Sequence, residues 1–113
     1  MAESAPRGKL AIVVGGGPAP GINGVICSVT IEAVNQGLEV IGLRDGFKNL
    51  ISEKFNPNEH TQSLTIGDVA TYYNRGGSML GTARTNPAKN PDDLARVIAG
   101  LTKMGVKYLV TIG

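Results

Sequence analysis

At Gly15 the sequence changes character abruptly. Lys9-Leu-Ala-Ile-Val-Val14 is a short run, apolar from its second residue onward, and Gly15-Gly-Gly-Pro-Ala-Pro-Gly21 then holds four glycines and two prolines. An unbroken apolar run of this length suits a parallel strand covered on both faces, where neither side can be polar. The glycine-proline stretch can be neither helix nor strand. Beyond it the period changes. Ile22, Ile26, Val29 and Ala33 fall at i, i+4, i+7 and i+11, one face of a helix. Gly37 follows as a left-handed cap, and Leu38 to Leu43 is a second apolar strand. Strand, glycine loop, helix and strand make a βαβ unit, so the predicted class is α/β, built in three layers around a parallel sheet.

Residues 44–64 read as a polar connection, long enough to hold a short hairpin. Thr65 and Asp68 have the spacing of a capping box, which starts a second helix running to about Asn74 and stopping at Gly76-Gly77. Ser78 to Asn86 is punctuated by glycine and reads as part strand. The third helix has the sharpest boundaries. Asn90 is an N-cap, Pro91 takes the first helical position, and Asp92 and Asp93 suit the positive end of the helix dipole. Leu94, Val97, Ile98, Leu101 and Met104 form its predicted buried face, Gly105 ends it, and Val106 to Ile112 is a third strand.

Composition excludes several classes. At 42% hydrophobic and 18% charged, the 113 residues are neither disordered nor collagenous. No apolar run approaches the roughly 20 residues of a membrane-spanning helix. Met1 to Gly8 reads as a flexible leader without the apolar centre of a secretory signal, so a cytoplasmic protein is expected. A net charge of +2 with eleven scattered basic residues and five aromatics does not indicate nucleic acid. Cys27 is the single cysteine and reads as a small core residue. His60, the single histidine, sits in a polar loop without a second metal ligand in sight. Tyr72 and Tyr73 read as helix packing, and Lys48 and Lys54 as solvated charges.

Two segments carry candidate chemistry. Bare amides around Gly16 and Gly17, next to a helix N-terminus, can approach a phosphate closely. Two familiar phosphate-binding patterns fail here. The dinucleotide fingerprint needs glycine where Pro20 stands, and the P-loop needs lysine where Ile22 stands. The second segment is Asn74-Arg-Gly-Gly-Ser-Met-Leu-Gly-Thr-Ala-Arg84-Thr85, in which glycines surround hydroxyls and lead to an arginine. A guanidinium donates two parallel hydrogen bonds to phosphoryl oxygens and never deprotonates.

Together these segments resemble the phosphofructokinase family. Gly16-Gly17-Pro18-Ala19-Pro20-Gly21-Ile22-Asn23 is similar to the family's Gly-Gly-Asp-Ala-Pro-Gly-x-Asn. Asn74 to Arg84 matches its Asn-Arg-Gly-Gly-[Ser/Thr]-x-Leu-Gly-[Ser/Thr]-[Ala/Ser]-Arg throughout. Arg44-Asp45-Gly46-Phe47 resembles the Asp-Gly-aromatic turn after the second strand, and Leu109 to Gly113 the strand before a Gly-Gly-Asp loop. The resemblance makes residues 9–113 the N-terminal part of a phosphoryl-donor-binding α/β domain, a fragment that stops before that loop and is expected to show no turnover alone.

The implied reaction is transfer of a phosphoryl group from ATP or pyrophosphate to the 1-hydroxyl of fructose 6-phosphate. The resemblance gives Arg84 the catalytic role of bridging donor and acceptor oxygens. It places Gly16, Gly17, Phe47, Arg84, Thr85 and Gly113 on the donor, Phe47 beside an adenine where ATP is used. The Mg2+ ligand and the catalytic aspartate of the family lie beyond this chain, and the parent enzyme is expected to be a homo-oligomer. Pro18 replaces the family's aspartate, which leaves the donor open between ATP and pyrophosphate. Positions of effector-binding arginines in bacterial members fall at Cys27, Ile31 and near Ile66, so regulation of that kind is not expected. Two alternatives stand beside this reading. One is a dinucleotide-binding oxidoreductase domain, with Arg44 and Asp45 selecting the ribose. The other is a non-catalytic domain of the same fold.

Overall fold

The computed structural model describes residues 8–15, 21–52, 54–72, 78–81, 83 and 90–112. Eight elements follow one another: β1 (Lys9–Val14), α1 (Ile22–Asn35), β2 (Glu39–Leu43), α2 (Pro57–His60), β3 (Thr61–Leu64), α3 (Ile66–Tyr72), α4 (Pro91–Lys103) and β4 (Val106–Ile112). The strands form one sheet in the order β3-β2-β1-β4. β1 pairs in parallel with β2 and β4, and β3 runs antiparallel along β2.

The unbroken apolar character of β1 has the expected cause. Alternate residues enter two different cores. Leu10, Ile12 and Val14 pack with Ile22, Ile26 and Ala33 of α1 and Val69 of α3. Ala11 and Val13 pack on the other side with Leu50 and Val97. The sheet is therefore the middle of three layers, as predicted. Cys27 is buried in the first of these cores as a free thiol.

The helix boundaries follow their caps. Gly37 takes φ 85° directly after the Gln36 C-cap. Asn90 Oδ1 accepts from the Asp92 N–H at 2.9 Å, with Pro91 opening α4. Thr65 and Asp68 cap reciprocally, each backbone N–H donating to the other's side-chain oxygen at 3.1 Å. At the far end of α4, Gly105 takes φ 78°.

Two expectations need correction. The connection 44–64 is not simply polar loop. Asn56 Oδ1 accepts from the Asn58 N–H, Pro57 starts the one-turn α2, and β3 then pairs with β2 from Val40↔Leu64 to Leu43↔Thr61. Only Leu64 of β3 is buried, because an edge strand of this length needs one apolar anchor. The sheet is thus mixed rather than wholly parallel. The second correction concerns α4. Of its five predicted core residues only Val97 is buried, at 4% exposure, while Leu94 and Ile98 are 42% and 56% exposed. The apolar stripe is wider than the layer it rests on.

His60 is held structurally. Its Nδ1 accepts from the Asn56 N–H at 3.0 Å and its ring stacks on Phe55 with centroids 5.7 Å apart. Among the described residues no group of three or more His, Cys, Asp or Glu could hold a metal ion, and no helix is long and apolar enough to cross a membrane.

Candidate phosphoryl-donor site

Parallel strands deliver their carboxyl ends to one edge of a sheet, which is where ligands gather in folds of this class. Here that edge is formed by Val14-Gly15 after β1, Arg44 to Phe47 after β2, and Ile112 of β4. The Gly15 N–H donates to the Ile112 carbonyl at 2.8 Å.

The segment after α3 is seated on the same edge. Gly15 and Ala83 form a parallel bridge, so the chain that leads into Arg84 lies alongside the chain that enters the glycine loop. The Asp45 N–H donates to the Leu80 carbonyl at 2.8 Å. Ser78 to Gly81 is a tight turn. The Gly81 N–H returns to the Ser78 carbonyl at 3.1 Å, and Ser78 Oγ donates to the Gly81 carbonyl at the same distance.

Three glycines make this approach physically possible. Gly46 takes φ +63°, and a Cβ there would stand 3.0 Å from the Val14 carbonyl oxygen and 3.2 Å from that of Ala83. Gly81 takes φ +71°, and its missing Cβ would collide with the Asp45 carboxyl. Gly42, inside β2, leaves the space that the buried Leu80 side chain fills. Asp45 itself holds φ 58°, the only positive φ outside glycine among the described residues, at a cost of about 1–2 kcal/mol. The β2 turn, the 78–81 turn and the end of β1 therefore meet with their backbones in contact.

The first helix begins at this edge. Gly21 is its N-cap at φ 84°, with no side-chain cap and no acidic residue in the first turn. Asn23 in that turn is 2% exposed, and its Oδ1 accepts from the Met79 N–H at 2.8 Å. Sequence reasoning gave Asn23 no role of its own. Its signal is weak, because the partner is a backbone amide 56 positions away.

Of the predicted site residues, Phe47 is half-buried against the core that holds Leu43 and Leu50. Gly16, Gly17, Arg84, Thr85 and Gly113 lie outside the described residues, as do Pro18, Pro20, Tyr73 and Asn74 to Gly77. The structure brings together their immediate neighbours Gly15 and Ala83.

The sequence model of the phosphofructokinase family matches residues 9–113. The chain belongs to the phosphofructokinase family. A pyrophosphate–fructose 6-phosphate 1-phosphotransferase of Thermotoga maritima is 56% identical over 105 residues, covering 93% of this chain and 24% of that protein. The enzyme of the same name from Naegleria fowleri is 50% identical over 104 residues, 92% of this chain and 23% of its own length. An ATP-dependent 6-phosphofructokinase of Actinobacillus pleuropneumoniae is 38% identical over 105 residues, 93% of this chain and 31% of that protein. The crystal structure of Pichia pastoris phosphofructokinase in the T-state superposes with a TM-score of 0.81 at 25% identity, over 98% of this chain and 11% of that one. The chain thus spans about a quarter to a third of the length of these curated relatives. The mostly parallel sheet is that of the phosphofructokinase fold.

Proposed function

We propose that this chain supplies the donor side of a phosphotransferase that moves a phosphoryl group from pyrophosphate to the 1-hydroxyl of fructose 6-phosphate, giving fructose 1,6-bisphosphate. One observation carries the reading. The Gly15–Ala83 bridge joins the residue that enters the glycine loop to the residue that precedes Arg84, at one strand end. Two motifs that share no sequence neighbourhood gain a common ligand only if the fold joins them, and phosphoryl transfer needs both. Backbone amides from the loop receive the donor oxygens, and the Arg84 guanidinium neutralises charge on the oxygens of the migrating group. The bond from phosphorus to the donor's bridging oxygen breaks as the bond to the sugar O1 forms. The hydroxyl proton passes to a base beyond this chain.

Pyrophosphate is favoured over ATP on two grounds. Pro18 stands where the family has aspartate. Two pyrophosphate-dependent relatives are 56% and 50% identical, above both an ATP-dependent one at 38% and a third pyrophosphate-dependent one at 37%. The family resemblance puts the magnesium ligand beyond this chain, where it would supply charge neutralisation on the donor, and no step is assigned to the ion here. The parent enzyme is read as a homo-oligomer.

The dinucleotide alternative draws no support from the strand-two turn. Arg44 Nη2 donates to Gln62 Oε1 at 2.7 Å, and Asp45 lies against Gly81, so both are engaged within the fold. The test is a rate measurement on the full-length protein carrying this segment, with fructose 6-phosphate and either donor. Product formed with pyrophosphate and not with ATP is the expected result. Turnover with ATP alone would reverse the donor assignment, and saturable binding of a nicotinamide dinucleotide with neither turnover would overturn the reading.

A further inference from the structure

Asn23 lies in the first turn of α1, one residue past Ile22, and is almost completely buried. Its Oδ1 accepts from the Met79 N–H at 2.8 Å. Met79 is the second residue of the Ser78–Gly81 turn, and four positions on, Ala83 bridges Gly15. Arg84 follows Ala83 directly. On the opposite side, the Asp45 N–H holds the Leu80 carbonyl of the same turn, and the Leu80 side chain fills the gap at Gly42.

The turn is therefore clamped from two elements, β2 and α1. The β2 clamp is backbone and packing, and it is duplicated by the Leu80 side chain. On the α1 side the clamp includes the Asn23 side-chain oxygen. A buried N–H left without its acceptor is costly, so the turn would shift to find water or another partner. A shift of about an ångström in a positioning element can reduce turnover by roughly a hundredfold.

We infer that Asn23 is a positioning residue: its side-chain oxygen registers the Ser78–Gly81 turn against α1, and the reaction depends on that register because the turn leads through Ala83 into Arg84. The inference rests on the donor-side function proposed above, and it adds a residue that never needs to touch donor or sugar. The requirement is for an acceptor at this point. Aspartate provides one at the same length, and a carboxylate is favoured in the first turn of a helix. Alanine provides none.

The test uses the full-length protein with Asn23→Ala and Asn23→Asp, read in two ways. Hydrogen exchange at the Met79 amide should be roughly tenfold faster or more in the alanine variant and return towards the parent rate in the aspartate variant, as loss and recovery of one buried hydrogen bond require. Turnover should fall by at least about tenfold in the alanine variant with KM for fructose 6-phosphate nearly unchanged, and the aspartate variant should recover most of it. Unaltered Met79 exchange in the alanine variant overturns the clamp whatever the reaction. Faster exchange with unchanged kcat overturns the positioning role. If the parent protein transfers phosphate from neither donor, the functional reading fails separately, and the exchange result alone decides whether the clamp exists.

Discussion

At the amino end of the sheet, Lys9 Nζ donates to the Met104 carbonyl at 2.9 Å and stands 3.6 Å from Glu39 Oε2. A cation meets the carbonyl end of α4, where the helix dipole favours it. At the carboxyl end the closing among the described residues is mainly by backbone, with the Asp45 carboxyl lying where Gly81 lacks a side chain. Gly15, Gly46, Gly81 and Ala83 meet there backbone to backbone, and Asn23 adds one neutral side-chain oxygen. The amino end is closed by long, solvated side chains that tolerate change. The carboxyl end is closed largely by the absence of side chains, which brings backbones into contact and leaves no slack. The difference separates an end that only has to be stable from one that has to be placed.

That contrast can be broken most severely at Arg84. Replacing it with alanine in the full-length protein should lower kcat by roughly two orders of magnitude or more, as for loss of a transition-state charge partner. An unchanged rate would leave the carboxyl end without its proposed chemistry. Next in size is Gly46→Ala. The left-handed φ and the crowding against Val14 and Ala83 should together remove roughly 1–3 kcal/mol, read as a lowered thermal midpoint, with activity falling alongside. A midpoint equal to that of the parent would mean that the turn yields more easily than the backbone contacts imply. The smallest effect belongs to the amino end. Lys9→Met keeps the aliphatic stem and loses a partly solvated pair, so stability should change by less than about 1 kcal/mol and kcat should not change. A large loss of activity from Lys9→Met would erase the distinction between the two ends.

Much of the fold was legible because its signals are local. Asn90-Pro91, Thr65 with Asp68, and the glycines at 37 and 105 act within a turn of where they stand, and each appears in the structure with the geometry its spacing predicts. β3 was not legible. Thr61-Gln-Ser-Leu64 has one buried residue, and its strand character comes from pairing with β2 rather than from its own pattern. The periodicity of α4 named a face but could not say how much of it this chain covers, so Leu94 and Ile98 were overassigned to the core. The same division runs through the site. The glycine loop and the arginine segment could be read as phosphate chemistry because their residue types announce it. Asn23 and Gly42 could not, because each has its meaning in a partner brought near only by folding.

Gly42 and Leu80 show what that dependence entails. The isobutyl group of one occupies the volume that the other lacks, on a strand whose flanking residues are ordinary aliphatic core. Neither position can vary by itself without a void or a clash, so the two should drift only as a compensating pair. A methyl group gained at 42 must be surrendered at 80, and the loop leading into the arginine inherits any error in that exchange.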